Sequence, residues 1–186
     1  TGMGLERLSM AIDSLTSTYD TNIFRSIIKS LEKISGKKYG VEKEINIAFR
    51  VICDHIRAIV LTISDGAIPS NNKAGYVIRR ILRRAVRYGY STLQLKEPFL
   101  NELSQSVIVE YKDIFKNLSS QSDFIKEVIL EEEKTFLSTL EKGLKKINEY
   151  GESSKKVSGE LVFELYDTYG FPIDLTMTMA SEKGFE

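Results

Sequence analysis

Five arginines crowd one short stretch of this chain. Ile68-Pro69-Ser70-Asn71-Asn72-Lys73-Ala74-Gly75-Tyr76 reads as a polar turn, and the residues from Val77 to Arg87 read as the helix it opens into. At about 100° per residue, Arg79, Arg80, Arg83, Arg84 and Arg87 fall within an arc of roughly 140°. Val77, Ile78, Ile81, Leu82, Ala85 and Val86 take the rest of the circumference, so one face can pack while the other presents cations with no acid between them. Such a stripe, led by Lys73, suits phosphate oxygens, as contacts that position a ligand and do not read its sequence. The other reading pairs these arginines with acids on neighbouring helices, Glu131 to Glu133 among them. Asn71 carries both a donor and an acceptor, which suits a base edge; a turn or N-cap role is the alternative. Asp167, in Glu164-Leu165-Tyr166-Asp167-Thr168-Tyr169-Gly170-Phe171-Pro172, is acceptor-only. It suits an exposed amino group, or else bonds to local backbone. The helix dipole disfavours an acid near a helix C-terminus, which weighs toward a role other than stability.

The remaining polar residues suggest structure. Arg50, Asp54 and Arg57 have the spacing of a charge network on one helix surface. His55 shares an apolar face and has no histidine or cysteine partner at ligand spacing, so it reads as a helix-contact residue and no metal site is expected. Cys53 is the single cysteine and reads as a buried thiol. Glu131-Glu132-Glu133-Lys134 reads as a solvated face. No acid–base pair or nucleophile stands out.

The elements that must hold these residues are helical. Leu5, Leu8, Ile12 and Leu15 share a face. A second helix opens near Asp20 with Phe24, Ile27, Ile28, Leu31 and Ile34 inward. A third carries Ala48, Val51, Ile52, His55 and Ile59 and stops around residues 64–66. The arginine helix follows, ending near Gly89. Pro98 opens another, through Leu103, Val107 and Tyr111. After a polar boundary at residues 117–122, a long charged helix covers about residues 123–150, with Val128, Ile129, Phe136, Leu140, Leu144 and Ile147 as its stripe. Residues 151–159 read as a loop, and two short helices follow, the last after Pro172. The fold class is all-α: about seven to eight helices in two packed helical subdomains. Hydrophobic residues at 42% are enough for a real core over 186 residues. Lys+Arg 26 balances Asp+Glu 26, so only local clustering can argue for a nucleic-acid partner. No run is apolar enough to span a membrane, and a reducing, cytoplasmic setting fits one cysteine. The chain starts at Thr1 and is expected to be a piece of a longer protein.

Taken in order, these blocks resemble the alanyl-tRNA synthetase family of class II aminoacyl-tRNA synthetases. Thr1-Gly2-Met3-Gly4-Leu5-Glu6-Arg7 is similar to its motif 3. Residues 50–58, 65–71, 75–85 and 165–172 are similar to its tRNA-recognition region. The resemblance implies that residues 1–15 are the end of the catalytic domain. It implies a first tRNA-recognition subdomain over 16–117 and a second over 118–186. It implies an intact enzyme that activates alanine with ATP and Mg²⁺ and transfers it to tRNA(Ala). Gly2, Gly4 and Arg7 match the ATP and adenylate pocket. Asn71 and Asp167 match the residues that recognise a guanine–uracil wobble pair in the acceptor stem, with Lys73, Arg79, Arg80, Arg83, Arg84 and Arg87 contacting phosphates. Asn72 departs from the family, which more often has an acid there. Motifs 1 and 2, and an editing domain with its zinc, fall outside these residues. The chain alone is therefore expected to be inactive and to bind no cofactor or metal, with a monomer favoured. Away from the catalytic sheet, the motif 3 segment is expected to fray or pack differently. Two alternatives are a helical RNA-binding module unrelated to aminoacylation and a helical scaffold built on Arg–Glu pairs.

Overall fold

A computed structural model describes residues 2–153, 157–182 and 184 of the chain. Thr1 of the motif 3 segment lies outside them, as do residues 154–156 of the expected loop and positions 183, 185 and 186 of the second subdomain. Among the described residues every regular element is helical, with no strand. The order is α1 (Leu5–Ile12), a 3₁₀ turn at Thr18–Asp20, α2 (Asn22–Ser35), α3 (Lys43–Ser64), α4 (Lys73–Ser91) and α5 (Leu100–Tyr111), then α6 (Asn117–Ser120), α7 (Ser122–Ser153), α8 (Gly159–Asp167) and α9 (Ile173–Glu182). The all-α expectation holds.

Apolar spacing sets the packing. In α2, Phe24, Ile27, Ile28 and Leu31 are buried at i, i+3, i+4 and i+7. Gly36, with φ 67°, closes this helix in the left-handed conformation that glycine adopts without a side-chain clash. α3 runs through the middle, burying residues on nearly every turn, including Phe49, Ile52, Ile56, Ile59 and Ile63. It packs against α2, α4, α5 and α7. Cys53 is fully buried on α3, and burial pushes its thiol far above the ordinary range, so it is an inert core residue.

α7 is longer than its apolar pattern indicated, continuing through Ser153 where a loop was expected. Its inward positions are Ile125, Ile129, Glu132, Phe136, Leu140 and Ile147, spaced three to seven residues apart in the rhythm of one helix face. Glu132 falls on that face and Glu133 beside it. Both are buried, at 8% and 0% exposure. The reading of 131–134 as a solvated face is therefore corrected for Glu132 and Glu133, while Glu131 and Lys134 are exposed as expected.

Other sequence readings change at contacts between elements. Arg50, Asp54 and Arg57 do not pair with one another. Arg50 donates to the Tyr39 hydroxyl at 2.9 Å and lies near the Tyr19 and Tyr39 rings. Arg57 pairs with Glu6 of α1 and covers the Phe24 ring at 4.6 Å. Asp54 faces its neighbour His55, with Oδ2 3.4 Å from Nδ1, and that contact lowers the Asp54 pKa. The motif 3 segment runs into the helix α1. Its apolar edge faces water, with Met3, Leu5 and Ile12 each more than 60% exposed.

Glu133 spans two elements. Its carboxylate accepts from the Phe99 N–H at 2.9 Å and the Leu100 N–H at 3.0 Å, the open amides where α5 begins. A residue on α7 thus caps α5. Burial raises the Glu133 pKa from an ordinary 4.5 to about 7, against the opposing pull of the Phe99, Leu100 and Asn101 amides. Glu133→Ala should cost about 3 kcal/mol in urea denaturation, because the amides lose their acceptor. Between pH 4.5 and 7 the unfolded carboxyl is ionised while the folded one keeps its proton, so wild-type stability falls as pH rises through that window. Glu133→Gln should flatten this decline; an unchanged slope would assign the titration to another group.

Candidate nucleic-acid interface

The site begins with the turn between α3 and α4. Gly66, with φ 91°, redirects the chain as α3 ends. The Ser70 N–H donates to the Gly75 carbonyl at 3.0 Å. Ser70 Oγ donates to the Asn72 carbonyl at 3.1 Å and accepts from the Asn72 N–H at 3.3 Å. Gly75 lies directly beneath this loop, where a Cβ would collide with the Ser70 side chain and the Ile68 carbonyl. Lys73 starts α4 with φ 50°, a left-handed conformation that costs a non-glycine residue about 1 kcal/mol or more. Asn72 is the N-cap residue by backbone position, so Asn71 stands one residue outside the helix. Its side chain accepts from Arg79 Nη1 and plays no capping role.

The second part is the turn after α8. Gly170 adopts φ 68°, and the Phe171 N–H returns to the Leu165 carbonyl at 2.9 Å. Thr139 of α7 donates its hydroxyl to the Tyr169 carbonyl at 2.9 Å. The Phe171 ring lies over Gly143 of α7, where a Cβ would overlap it. Asp167 ends α8 just before this turn, with its side chain exposed. No hydrogen bond or ion pair among the described residues engages its carboxylate, so the local-backbone reading does not hold.

Glu132 joins the two parts. Its Oε2 accepts from Arg79 Nε at 3.1 Å, and its Oε1 accepts from Arg83 Nε at 2.7 Å and Nη2 at 2.6 Å. Arg83 Nη1 donates to the Gly170 carbonyl, and its guanidinium lies 5.2 Å from the Phe136 ring centroid. One α7 carboxylate thus holds two α4 guanidiniums, and one of these holds the turn after Asp167.

These contacts shape a cleft of about 460 Å³, lined by Asn71, Asn72, Tyr76, Arg79, Arg80 and Arg83 from one side and Tyr166, Asp167, Gly170 and Pro172 from the other. Asn71 and Asp167, ninety-six positions apart in sequence, share one cavity. The cleft brings three guanidiniums together with the carboxylates of Glu132 and Asp167. Polar donors, an acceptor-only carboxylate and two tyrosine rings suit a phosphorylated ligand with planar polar edges.

The arginine stripe is corrected in part. Arg83 and Arg87 are only 9% and 8% exposed, and Arg83 turns toward Glu132 of α7. Arg87 lies over the neighbouring Tyr88 ring at 4.9 Å. Arg84 is half-buried, with an Nε that has no hydrogen-bond partner, and neither it nor Arg87 lines the cleft. The sequence shows no acid within the stripe, but the fold supplies Glu132. Tyr76 and Tyr166 were missed as site residues, whereas Glu132 is one of the acids, Glu131 to Glu133, offered by the sequence as partners for the arginines. The three- and four-residue spacing of the α7 stripe is the signal that singles it out among them.

Gly2, Gly4 and Arg7 lie apart from the cleft. A Cβ on Gly2 would meet nothing within 4 Å, and Arg7 is exposed. These residues do not by themselves enclose an adenine nucleotide. Among the described residues no cluster of three or more His, Cys, Asp or Glu could hold a metal ion, and no helix is long and apolar enough to cross a membrane.

Residues 1–186 match the family model described as tRNA synthetases class II (A). The alanine–tRNA ligase of Cytophaga hutchinsonii is 51% identical over 189 residues, covering 99% of this chain and 22% of that protein. Those of Christiangramia forsetii and Parabacteroides distasonis are 49% and 50% identical, each covering 100% of this chain. The chain spans about 22% of the length of these relatives.

Glu132→Ala should leave two largely desolvated guanidiniums without a counter-charge and lower stability by about 3–5 kcal/mol in urea denaturation. A loss under about 1 kcal/mol, the scale of an exposed ion pair, would contradict the role of Glu132 as the junction.

Proposed function

The chain belongs to the class II (A) tRNA synthetases, and on that premise we propose that it is the acceptor-stem recognition region of an alanine–tRNA ligase. The observation that carries this reading is the single cleft in which Asn71 and Asp167 stand together among Arg79, Arg80 and Arg83. In this reading the whole protein attaches alanine to tRNA(Ala) through alanyl-adenylate. ATP and Mg²⁺ act at a catalytic site to which Gly2, Gly4 and Arg7 contribute one edge, and zinc belongs to a separate editing domain.

The division of labour follows from exposure and chemistry. In this reading Lys73, exposed at the start of α4, and Arg80, part of the cleft lining, contact phosphates, which gives affinity and salt dependence. Arg83, buried against Glu132, serves mainly to fix the two turns. Asp167 can only accept, so it suits a base-edge amino group. A guanine–uracil wobble pair leaves the guanine amino group without a partner in the shallow groove of an A-form stem, where protein side chains reach. A standard guanine–cytosine pair uses that group and offers a different edge. Each good polar base contact discriminates by about 1–3 kcal/mol.

The scaffold alternative gains one specific observation, the Arg79–Glu132 and Arg83–Glu132 pairs. It accounts for those arginines but not for an unengaged Asp167 facing the same cleft. Binding titrations with two short acceptor-stem duplexes, one with the wobble pair and one with guanine–cytosine, separate the readings. The wobble duplex should bind more tightly, and Asn71→Ala and Asp167→Ala should each erode that preference by about 1–3 kcal/mol. Equal binding of both duplexes, unchanged by either substitution, would sink identity reading. Binding insensitive to salt would point to the scaffold alone.

A further inference from the structure

Arg57 of α3 stands away from the cleft and meets three other elements. It pairs with Glu6 of α1 and covers the Phe24 ring of α2 at 4.6 Å. It also faces Tyr111 of α5, whose hydroxyl donates to the Ile23 carbonyl at 3.3 Å. The Arg57 side chain is 18% exposed and that of Glu6 29%. Burial works to lower the Arg57 pKa, but the Tyr111 hydroxyl and the Glu6 carboxylate outweigh it and raise the pKa. The Glu6 pKa is lowered, by its own backbone amide first and by Arg57 next. Both partners are therefore charged at neutral pH.

This pair matters more to α1 than an ion pair does to an ordinary helix. α1 buries no residue, and Met3, Leu5, Leu8 and Ile12 are exposed. Apolar packing within the chain thus does little to fix its rotation or its height. Glu6 does so with one carboxylate. Its Oε1 meets Arg57, and its Oε2 lies 3.5 Å from where a Cβ on Gly4 would stand. The same side chain therefore touches the glycine segment before α1 and the helix behind it. Arg7 comes next in sequence and is exposed, and no hydrogen bond or ion pair among the described residues engages it. Successive helix residues lie about 100° apart, so a clamp on Glu6 sets the direction in which Arg7 leaves α1 without touching Arg7.

We infer that Arg57 is a positioning residue: through Glu6 it fixes residues 2–7 against α3 and so presents Arg7 to the phosphates of ATP. The inference rests on the ligase reading, in which Gly2, Gly4 and Arg7 form one edge of the ATP site, and deepens it by naming what holds that edge. It also gives α3 two roles. The helix carries Arg57 along its length and ends at Ser64, where the turn toward Asn71 begins.

The test has two arms. In residues 1–186, tryptic cleavage after Arg7 reads the tether, because cleavage follows local opening. Arg57→Met keeps apolar bulk over Phe24 and removes the charge. It should hasten that cleavage about fivefold, while cleavage after Lys38, in the loop after α2, stays unchanged. In the whole protein, calorimetric binding of a non-hydrolysable ATP analogue reads Arg7. Arg57→Met and Glu6→Ala should each weaken it about tenfold. The double substitution should weaken it no further, since both remove one contact. Arg57→Lys should restore most of the affinity, and affinity for an acceptor-stem duplex should be unchanged throughout. Glu6→Ala, on a helix with no buried residue, keeps the test open if Arg57→Met does not fold. Unchanged cleavage after Arg7, unchanged ATP-analogue affinity, or losses that multiply in the double substitution would each overturn the inference. A parallel loss of ATP-analogue and duplex affinity in Arg57→Met would reduce Arg57 to a fold-stabilising residue and overturn it too. A wild-type protein without alanine-dependent ATP–pyrophosphate exchange would remove the ligase reading itself, an outcome distinct from absence of the Arg57 effect.

Discussion

The structure turns on a buried carboxylate shared between two guanidiniums. Glu132 of α7 faces Arg79 and Arg83 of α4, and Arg83 extends the connection to the turn after α8. Burying charges is expensive unless every member is paired and hydrogen-bonded. The pairing here fixes more than stability. Arg79 and Arg83 lie one turn apart, so α4 can slide along α7 only by giving up both bonds. The next residue, Glu133, uses the opposite chemistry. It meets no cation among its hydrogen-bond partners and instead receives the amides that open α5. Two adjacent acids on one helix thus locate two different neighbours.

Apolar contacts finish the alignment that the acids begin. Gly143 lets the Phe171 ring lie on α7, and Phe136 meets that ring at a centroid distance of 5.6 Å. Gly89 lets Phe99 approach α4 in the same way. Phe99 is also one of the residues whose amide Glu133 accepts. The backbone of this residue is held by an acid and its ring by a glycine notch. Gly75 and Gly170 serve the cleft more directly, since a side chain at either would displace a turn that carries a proposed reader.

Much of this was legible in the sequence because helix periodicity is a local property. The inward residues of α2, α3 and α5 follow their apolar spacing. The failures involve charged residues whose partners are distant in sequence. Arg50 and Arg57 have acids at ideal intrahelical spacing, yet tyrosines and Glu6 engage them, because tertiary neighbours offer ring faces and better-placed acceptors. The run 131–134 is uniformly polar, so composition hides the two positions that face inward. The arginine stripe was identified correctly as a feature, but its exposure depends on where α7 lies. Asn71 and Asp167 were individually ambiguous; a shared cavity is a tertiary fact that neither local segment contains.

α7 gives the fold its mechanical continuity. Thirty-two residues at about 1.5 Å each make a rod of about 48 Å. Along it sit the cap for α5, the clamp on α4, the ring contact with Phe171 and the Lys146–Glu164 pair with α8. These contacts cover the middle of α7, so its central amides should be among the best protected. α1 belongs to a different class, having no buried residue and Glu6–Arg57 as its ion pair to α3. In hydrogen-exchange terms the central amides of α7 should exchange slowly, and those of α1, which buries no residue, should exchange by local opening while the cleft stays intact.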